Sequence, residues 1–480
     1  MKSSIRLLYV SCGTALLVVG PALAVDNLNE PVRPIGNGQS AWNVGARAFM
    51  YPPTYLLKDG SAYSFAKDWA TYPVGWVEAR LPDGTSRRFW KKAAFKEGAY
   101  PPAARSYAES ARMAFDWLFE SKQFRILRET GDIDREYPHN CYPAKMVSSA
   151  IEAMVRYGEL RPDRRAAALK TACNGADWLL AHTISAPSPL AGFPLTYDHH
   201  PEAIDKIPAA PARISRERAA ISMNIYPCAA ALAYLRLYAV VKEPRYLAGA
   251  RSICDRYIAL QGEDGSWWLD QRIADGSHLG TSRVLPVDRV IPMFEEAFAA
   301  TGDVRYRAAA DRAFAFVEKG PLADWNWQGQ FEDTPAAPKY QNLTKHGACS
   351  TAMYLLKRFP NDKARLAQAR ELLRFSEDQF VFWERPYTAE TEPTDVPTRN
   401  RPWAGGWFCP SVTEQYSCYR PIDASAAKLI RTYLALYRAE RDPLDLAKAR
   451  ALGDTATRMQ QADGFIPTFW LTDTACKGDD

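Results

Sequence analysis

Apolar residues recur at helical spacing from residue 103 almost to the C-terminus, in paired segments separated by turns. The first segment of each pair opens with polar and aromatic residues and then becomes apolar and rich in alanine, whereas the second is amphipathic. A further amphipathic helix is predicted over 103–129, which is enough to begin a sixth pair. The pattern predicts five helical hairpins, and their first segments start at His139, Ser222, Arg289, Asn342 and Pro421.

The alternation of the two helix types predicts the architecture. A helix that is apolar nearly all round belongs inside a protein, and an amphipathic one belongs at its surface. Superhelical repeats of the TPR or HEAT type have more uniform units than these segments, whose connecting loops are long and irregular. We therefore expect an all-α fold, an (α/α)6-type toroid of inner and outer helical hairpins, over residues 103–475.

Residues 25–102 have a different pattern and are rich in proline, glycine and aromatic residues. Two alternating segments flank the turn Pro82-Asp83-Gly84, which predicts a short β-hairpin over 74–90. Because no linker or change in composition separates them from the helical segments, we expect these residues to be an N-terminal extension of one large domain.

The first 24 residues have the features of a secretory signal peptide. Lys2 and Arg6 provide a basic start, an apolar run comes next, and Ala22-Leu23-Ala24 is a small-x-small cleavage site. We expect residues 1–24 to be removed and the mature protein to be periplasmic or secreted. No other segment reaches the roughly 18 apolar residues that a membrane span requires.

The charge of the chain is nearly balanced, with 60 Lys and Arg against 55 Asp and Glu. We do not expect a nucleic-acid partner, because phosphate binding needs a clustered cationic excess. In an oxidising compartment disulfides can form, and Cys409 and Cys418 are the best candidates because they share a loop-like stretch. Cys228 and Cys254 lie on the two helices of one hairpin, and we expect them to be buried free thiols.

Polar residues at the starts of the predicted inner helices indicate a common binding pocket. In a toroid these starts meet at one end, where free amide hydrogens and the helix dipoles favour an anionic ligand. Arg289 and Arg420 lie near such starts and fit a substrate carboxylate. The remaining residues that we expect to contact substrate there are His139, Asn140, Tyr142, Asn224, Asn342, His346 and Tyr416.

The long loops between hairpins are rich in tryptophan, which favours an oligosaccharide or polysaccharide substrate. Sugar rings stack on aromatic faces while nearby carboxylates and amides bind the hydroxyl groups. Trp267 lies close to Asp270, and Trp327 lies close to Glu332 in the sequence. Because large aromatic side chains mostly serve packing, we expect roughly half of these tryptophans to be buried instead.

The repeated hairpins, with loops such as QGEDGSWW and QQADGFIPTFW after an outer helix, resemble the α/α-toroid carbohydrate-active enzymes. That set includes glycoside hydrolases, polysaccharide lyases and sugar epimerases that act largely on uronic-acid glycans. The segments GQFEDTPAAPKYQNLTKHGAC and PSVTEQYSCYRPIDASAAKLI are similar to the bacterial glycoside hydrolase family 154 of β-glucuronidases. The resemblance implies an anionic glycan substrate.

Hydrolysis of a glycosidic bond needs two carboxyl groups, one held protonated and the other ionised. Glu332 and Asp333 follow an aromatic stretch that can raise a carboxyl pKa, and Glu414 lies in the next long loop. A pair formed by Glu332 or Asp333 with Glu414 is the preferred hypothesis. Asp423 precedes an alanine-rich run, and we expect it to cap a helix.

Two alternatives remain open at this point. A uronate lyase would use His346 or Tyr416 to remove the C5 proton, and His346 serves a hydrolase equally well as a proton-transfer or binding group. A protein of another class would bind a glycan without catalysis. No metal or cofactor is expected, because the run Asp198-His199-His200 has adjacent side chains that rarely converge on one ion, and no phosphate-binding loop, GxSxG or HExxH motif occurs.

Overall fold

The chain of 480 residues is described by a computed structural model over part of its length. The described residues are 54–57, 59, 61–64, 71–198, 216–327, 343–385, 408–415 and 418–470. Within these ranges no helix combines the length and apolarity needed to cross a bilayer. The signal peptide and four predicted site residues lie outside the described residues, namely Glu332, Asp333, Asn342 and Tyr416.

Two helices precede the hairpins, α1 (Tyr107–Glu120) and α2 (Lys122–Thr130), where the sequence predicted one helix over 103–129. The break falls at Ser121, whose ψ of 153° is extended and starts a second helix. At the other end of α2, Gly131 adopts φ +78° and its N–H donates to the carbonyl of Leu127 at 3.1 Å. This left-handed glycine ends the helix.

Five helical hairpins come next within the described residues, and that prediction is confirmed. Their first and second helices are α3 (Pro143–Leu160) and α4 (Arg165–Ala181), α5 (Pro227–Val241) and α6 (Pro244–Leu260), α7 (Val290–Thr301) and α8 (Val304–Lys319), α9 (Lys345–Arg358) and α10 (Lys363–Phe380), and α11 (Asp423–Glu440) and α12 (Pro443–Met459). Single turns of helix also occur at Pro138–Cys141, Pro162–Arg164, Arg216–Ala219 and Pro321–Asp324.

The links inside two of the hairpins share one local structure. Lys242 and Arg441 end α5 and α11 with φ values of 61° and 62°, and each N–H donates to a carbonyl of the preceding turn. Pro244 and Pro443 then open the second helices, where the fixed φ of proline is already helical and its missing N–H is not needed. The chain thus reverses direction within a few residues.

Burial separates first from second helices in two of the hairpins. Ten of the fifteen residues of α5 are buried, against five of the seventeen in α6. Ten of the fourteen residues of α9 are buried, against seven of the eighteen in α10. In the last hairpin the two helices are buried to a similar extent, with six residues in α11 and seven in α12.

The described strands are short and form four small antiparallel sheets. The strands are β1 (Thr54–Leu56), β2 (Ala62–Ser64), β3 (Gly75–Arg80), β4 (Ser86–Lys91), β5 (Ile221–Met223), β6 (Trp268–Arg272), β7 (His278–Arg283), β8 (Val381–Phe382), β9 (Ser411–Gln415) and β10 (Cys418–Pro421). β1 pairs with β2, and β3 pairs with β4 around the turn at Gly84, which confirms the predicted hairpin. The other two sheets have the orders β5-β6-β7 and β10-β9-β8.

The described residues group into two compact units. The first unit takes residues 119–198 and 216–316, and so holds α2 to α7, most of α8, and β5 to β7. The second unit takes the described residues up to 118, residues 317–327, and those from 343 to 470. It holds most of α1, the hairpins α9–α10 and α11–α12, and the remaining strands. The single domain predicted over 103–475 stays a prediction.

A glycine turn of the same form comes after α6 in the first unit and after α12 in the second. Gly265 and Gly464 have φ values of +85° and +104°. A Cβ on Gly265 would lie 2.2 Å from the carbonyl oxygen of Arg312 on α8, and one on Gly464 would lie 2.3 Å from that of Met113 on α1. Only glycine allows both the backbone conformation and the close approach of the next helix.

A glutamine fastens each of these turns to the neighbouring helix. The side-chain amide of Gln261 donates to the carbonyl of its own turn glycine at 3.0 Å and to that of Ala309 on α8 at 3.1 Å. The side-chain amide of Gln460 makes the equivalent bonds, at 2.9 Å within the turn and at 2.8 Å to Ser110 on α1. The motifs QGEDG and QQADG therefore encode a docking turn.

The described cysteines are free thiols, including Cys228, Cys254 and Cys409. The expected free state of Cys228 and Cys254 is confirmed, and burial raises the pKa of Cys228 to about 12. The predicted bridge between Cys409 and Cys418 is wrong. Cys409 lies just before β9, whereas Cys418 pairs with the last residue of that strand, and four residues of strand span ~13 Å, beyond disulfide reach.

Candidate functional site

The sheet β10-β9-β8 of the second unit leads directly into a helix, and an acidic residue lies on each side of this junction. β9 is the central strand, and Thr413 pairs with Pro421 at the end of β10. The N–H of Ile422 then donates to the carbonyl of Val412 at 3.0 Å, and α11 begins at the next residue, Asp423. Glu414 follows Thr413, so this junction carries Glu414 on the strand side and Asp423 on the helix side.

Lys345 joins α9 to this junction. The residue is fully buried, and its ammonium donates to the carbonyl oxygen of Thr413 at 2.9 Å and to that of Glu414. A buried ammonium requires such acceptors, because without them its desolvation is uncompensated. The backbone at Glu414 is therefore held by a charged group on the first residue of α9.

His346 lies in the first turn of α9 and is 9% exposed. Its backbone N–H donates at 3.1 Å to the hydroxyl of Thr344, which caps the helix. Since Lys345 contacts the backbone of Glu414, two of the predicted catalytic residues, His346 and Glu414, lie on elements that are in direct contact. The chemical role of each stays a prediction.

Asp423 differs from its expected role. Ile422 occupies the N-cap position, so the expectation that Asp423 caps the helix is wrong, because the extended backbone continues through Ile422. Asp423 is instead the first helical residue, and its carboxylate accepts from the N–H of Ala424 at 2.5 Å. Burial outweighs this bond and raises the pKa of Asp423 to about 6. Asp423 and Glu414 are both half-buried.

The first unit contains a second polar group, which we call the tyrosine–arginine cluster: Tyr142, Lys145, Tyr197, Arg218 and Asp270. The guanidinium carbon of Arg218 lies 4.4 Å from the ring centroid of Tyr197, and a guanidinium nitrogen lies 3.4 Å from the carboxylate of Asp270. The rings of Tyr142 and Tyr197 meet edge to face at 5.6 Å. Burial raises the pKa of Asp270 even though Arg218 opposes this.

Lys145 places the starts of two hairpins next to each other in the first unit. Its ammonium lies 5.6 Å from the ring centroid of Tyr142 at the start of α3, and 5.6 Å from that of Tyr226 at the start of α5. Such contacts between a cation and aromatic faces are attractive. Within this unit, the starts of α3 and α5 therefore lie next to each other, and the common funnel of polar helix starts stays a prediction.

Three residues predicted to bind substrate are buried and engaged in local structure. Asn140 donates to a main-chain carbonyl at 2.8 Å. Asn224 is fully buried, and its amide donates to Gln271 at 2.6 Å. The indole of Trp267 is 1% exposed and donates to a main-chain carbonyl at 2.7 Å. These bonds account for the three residues as supports of the fold, and contact with substrate stays a prediction for each.

The other predicted site residues are distributed between the two units. His139 packs beside Tyr137 with ring centroids 5.4 Å apart, and Arg289 lies 3.7 Å from the carboxylate of Asp288 at the start of α7. Trp327 is fully buried in the second unit, and the backbone of Arg420 lies in β10. The single pocket expected to hold all of them stays a prediction.

No group of three or more histidine, cysteine, aspartate or glutamate side chains within the described ranges is arranged to hold a metal ion. His199 and His200 lie outside those ranges.

Comparison with known proteins places the chain by its fold. No protein-family model matches the sequence, and no curated protein matches it. Solved structures do match. The cellobiose 2-epimerase from Spirochaeta thermophila is 13% identical, with a TM-score of 0.51 over 77% of this chain and 90% of the epimerase. This likeness shows an all-α fold of the α/α-toroid type, and the predicted fold class is confirmed.

Two further structures are similar to the chain at lower scores. A GH76 α-mannanase from Bacteroides thetaiotaomicron is 12% identical, with a TM-score of 0.48 over 77% of this chain and 89% of the mannanase. An unsaturated glucuronyl hydrolase specific for heparin is also 12% identical, with a TM-score of 0.36 over 65% of this chain and 81% of that hydrolase.

Proposed function

We propose that the protein is a carbohydrate-active enzyme that hydrolyses a glycosidic bond to a uronic acid, as a β-glucuronidase does. Asp423 is the proton donor to the leaving oxygen, and Glu414 is the second carboxyl group, acting as base or nucleophile. The observation that carries the proposal is the junction of β9, β10 and α11, whose backbone bonds hold Glu414 on a strand and Asp423 at the first position of the helix, together with the raised pKa of Asp423.

Hydrolysis gives the two carboxyl groups different tasks. A general acid must hold its proton near the working pH, and burial raises the pKa of Asp423 to about 6. The second carboxyl group stabilises positive charge or activates water on the sugar ring. Glu414 is suited to this role because it is half-buried and the strand beneath it is bonded to Lys345.

Glu332 and Asp333 remain candidates for the partner of Glu414, and His346 remains a candidate for proton transfer or hydroxyl binding. The sequence supports all three, because Glu332 and Asp333 come after an aromatic stretch and His346 opens a buried helix. The variants Glu332→Gln and Asp333→Asn therefore belong beside Asp423→Asn in every assay.

The substrate class is supported by analogy of fold and by chemistry of the side chains. The cellobiose 2-epimerase of similar fold acts on a sugar, as its name states. A carbohydrate substrate for this protein is therefore supported by analogy of fold alone. The uronate is supported by the resemblance to the β-glucuronidases and by Arg420, which stands three residues before Asp423 in the chain. Guanidinium groups bind carboxylates.

The test compares two kinds of glucuronide that differ in their leaving group. With 4-nitrophenyl β-D-glucuronide, 4-nitrophenolate leaves with little help from an acid, so Asp423→Asn keeps a large part of the wild-type rate. With a glucuronic-acid disaccharide the same variant loses about 100-fold in kcat or more. Glu414→Gln loses activity on both. Equal losses of Asp423→Asn on the two substrates would reject Asp423 as the proton donor.

The products separate this proposal from its two alternatives. Hydrolysis adds the elements of water to the products, whereas a lyase creates an unsaturated uronate with strong ultraviolet absorbance and no added water. A glycan-binding protein without catalysis gives neither product and binds equally well as Glu414→Gln. Either result would reject the proposed hydrolase in favour of the corresponding alternative.

A further inference from the structure

We infer that Lys92, which lies before all five helical hairpins in the sequence, is a positioning residue for Glu414. The inference rests on the proposed function of Glu414. It assigns a role in catalysis to the segment after β4, residues 92–100, which contains none of the candidate catalytic side chains.

Lys92 is bound to the strand next to the one that carries Glu414. The residue is buried, and its ammonium donates to the carbonyl oxygen of Val381 in β8 at 2.9 Å. The same ammonium lies 4.9 Å from the ring centroid of Phe382, the other residue of β8. One side chain thus contacts the whole of this two-residue strand.

The residues after Lys92 extend the contact along the chain beyond β8. The rings of Phe95 and Trp383 meet at 4.8 Å, and those of Tyr100 and Trp383 at 6.1 Å. Lys96 pairs with Glu384 at 2.7 Å at the surface. Together with Lys92, these contacts hold β8 and its continuation against the segment 92–100.

β8 transmits this restraint to Glu414 through the sheet. Val381 pairs with Val412 in β9, and the hydroxyl of Thr413 donates to the carbonyl of Phe380 at 3.3 Å. β9 is therefore held through Lys92 and β8, and its backbone at Thr413 and Glu414 is also held by Lys345 of α9. A shift of β8 moves the backbone that carries Glu414.

The electrostatics of Lys92 favour a specific role over simple packing. An apolar side chain of similar volume would fill the same space without the cost of burying a charge. The carboxylates of Glu377 and Asp378, with Arg374 and Lys448 beside them, face this region, and burial still lowers the pKa of Lys92 to about 8. What the lysine provides, and an apolar residue does not, is a bond to the β8 carbonyl and a longer one, at 3.4 Å, to the carbonyl of Glu377 in the last turn of α10.

The test compares Lys92→Met with Lys91→Met, its neighbour. Lys91 also donates its ammonium to a main-chain carbonyl, that of Tyr72, which lies outside β8. We expect Lys92→Met to lower kcat on the glucuronic-acid disaccharide by about 10- to 100-fold with little change in KM, because a small displacement of a catalytic group costs rate more than binding. Lys91→Met keeps the wild-type kcat.

Combination with Glu414→Gln distinguishes positioning from general damage. If Lys92 acts through Glu414, the double variant Lys92→Met/Glu414→Gln is no slower than Glu414→Gln alone. A further loss in the double variant, or an unchanged kcat in Lys92→Met, overturns the inference. Wild-type activity in Glu414→Gln overturns the proposed function instead.

Hydrogen exchange of the full chain tests the same inference without any substrate. We expect Lys92→Met to speed exchange in peptides that cover β8 and β9 and to leave those of α12 unchanged, whereas Lys91→Met leaves both unchanged. Protection of β9 equal to that of the wild type contradicts the role of Lys92.

Discussion

The ammonium of Lys345 lies 2.9 Å from the carbonyl oxygen of Thr413, and both residues are almost completely shielded from solvent. This bond connects the first residue of a buried helix to the central strand of a three-stranded sheet. Because Glu414 is the next residue of that strand, its backbone position depends on a charged group that does no chemistry itself.

Replacing Lys345 by methionine should therefore affect both stability and rate. Two buried carbonyl groups lose their donor, which costs about 1–3 kcal/mol in the free energy of unfolding. We expect kcat to fall by about 10-fold or more with the disaccharide. Lys428→Met is the matched control, because its ammonium bonds a serine hydroxyl on α9 at 3.0 Å rather than a carbonyl of β9. Equal losses of kcat in both variants would refute the specific role.

The rate of hydrolysis should fall as the pH rises through about 6. The pKa of Asp423 is raised to about 6, mainly by burial, so the proton needed by the leaving group is present below that pH and lost above it. In Asp423→Asn, the fall of kcat/KM above about pH 6 should disappear. It should remain in Glu109→Gln, which alters an exposed carboxyl group on α1. If the fall persists in Asp423→Asn, another group is responsible for it.

Asp378 should make the folded state less stable as the pH rises from about 4 to about 7. Burial, helped by the charge of Glu377, raises its pKa from 3.8 to about 7. The folded state then keeps a proton that the unfolded state has released, so the stabilisation is complete below about pH 4 and lost through about pH 7. In thermal unfolding across this pH range, the melting temperature of Asp378→Asn should fall less than that of the wild type. Identical slopes for variant and wild type would contradict the assignment.

The docking turn after α12 should tolerate no side chain. Gly464→Ala places a methyl group 2.3 Å from the carbonyl oxygen of Met113 at a φ of +104°, and we expect a loss of about 2–4 kcal/mol in the free energy of unfolding. Gly131→Ala is the control, with a φ of +78° and no atom within 4 Å of the new methyl group, and should lose only about 1 kcal/mol. Urea unfolding measures both, and similar losses would show that the close approach is unimportant.

Arg236 should stabilise the first unit by joining three helices. On α5 it pairs with Glu152 of α3 and, at 2.9 Å, with Glu296 of α7. Arg236→Met leaves two half-buried carboxylates without this arginine and should cost about 1–3 kcal/mol by urea unfolding. Adding Glu152→Gln and Glu296→Gln should recover most of the loss, because the uncompensated charges are then gone. No recovery would indicate that packing of the arginine matters more.

The periodicity of apolar residues predicted the five hairpins, because a helix that buries one face must carry apolar residues at helical spacing along that face. It did not predict the break at Ser121, where one backbone conformation divides an otherwise continuous amphipathic pattern. It also misjudged Cys409 and Cys418, since the short strand that separates them has no periodic signal of its own.

The candidate site was predicted only in part. The sequence correctly put His346 at a helix start, but Glu414 lies in strand β9 rather than in a loop, and the catalytic role of each stays a prediction. Lys345 and Lys92 were missed, because a lysine whose ammonium is buried looks like any surface lysine in a sequence. Asp423 was misassigned because an aspartate at a helix start can serve either as the N-cap or as a buried acid. The helix begins one residue earlier than a cap at Asp423 would require: Ile422 is the N-cap, and Asp423 is already helical.

The docking turn of α12 also sets an order of events during synthesis. Gln460 bonds Ser110, 350 residues earlier in the chain, so α1 must wait for the last hairpin before this contact can form. The described residues of the first unit, by contrast, lie within 119–316, so they are all synthesised before the last hairpin. The nascent chain can therefore complete its middle while its beginning is still unpaired.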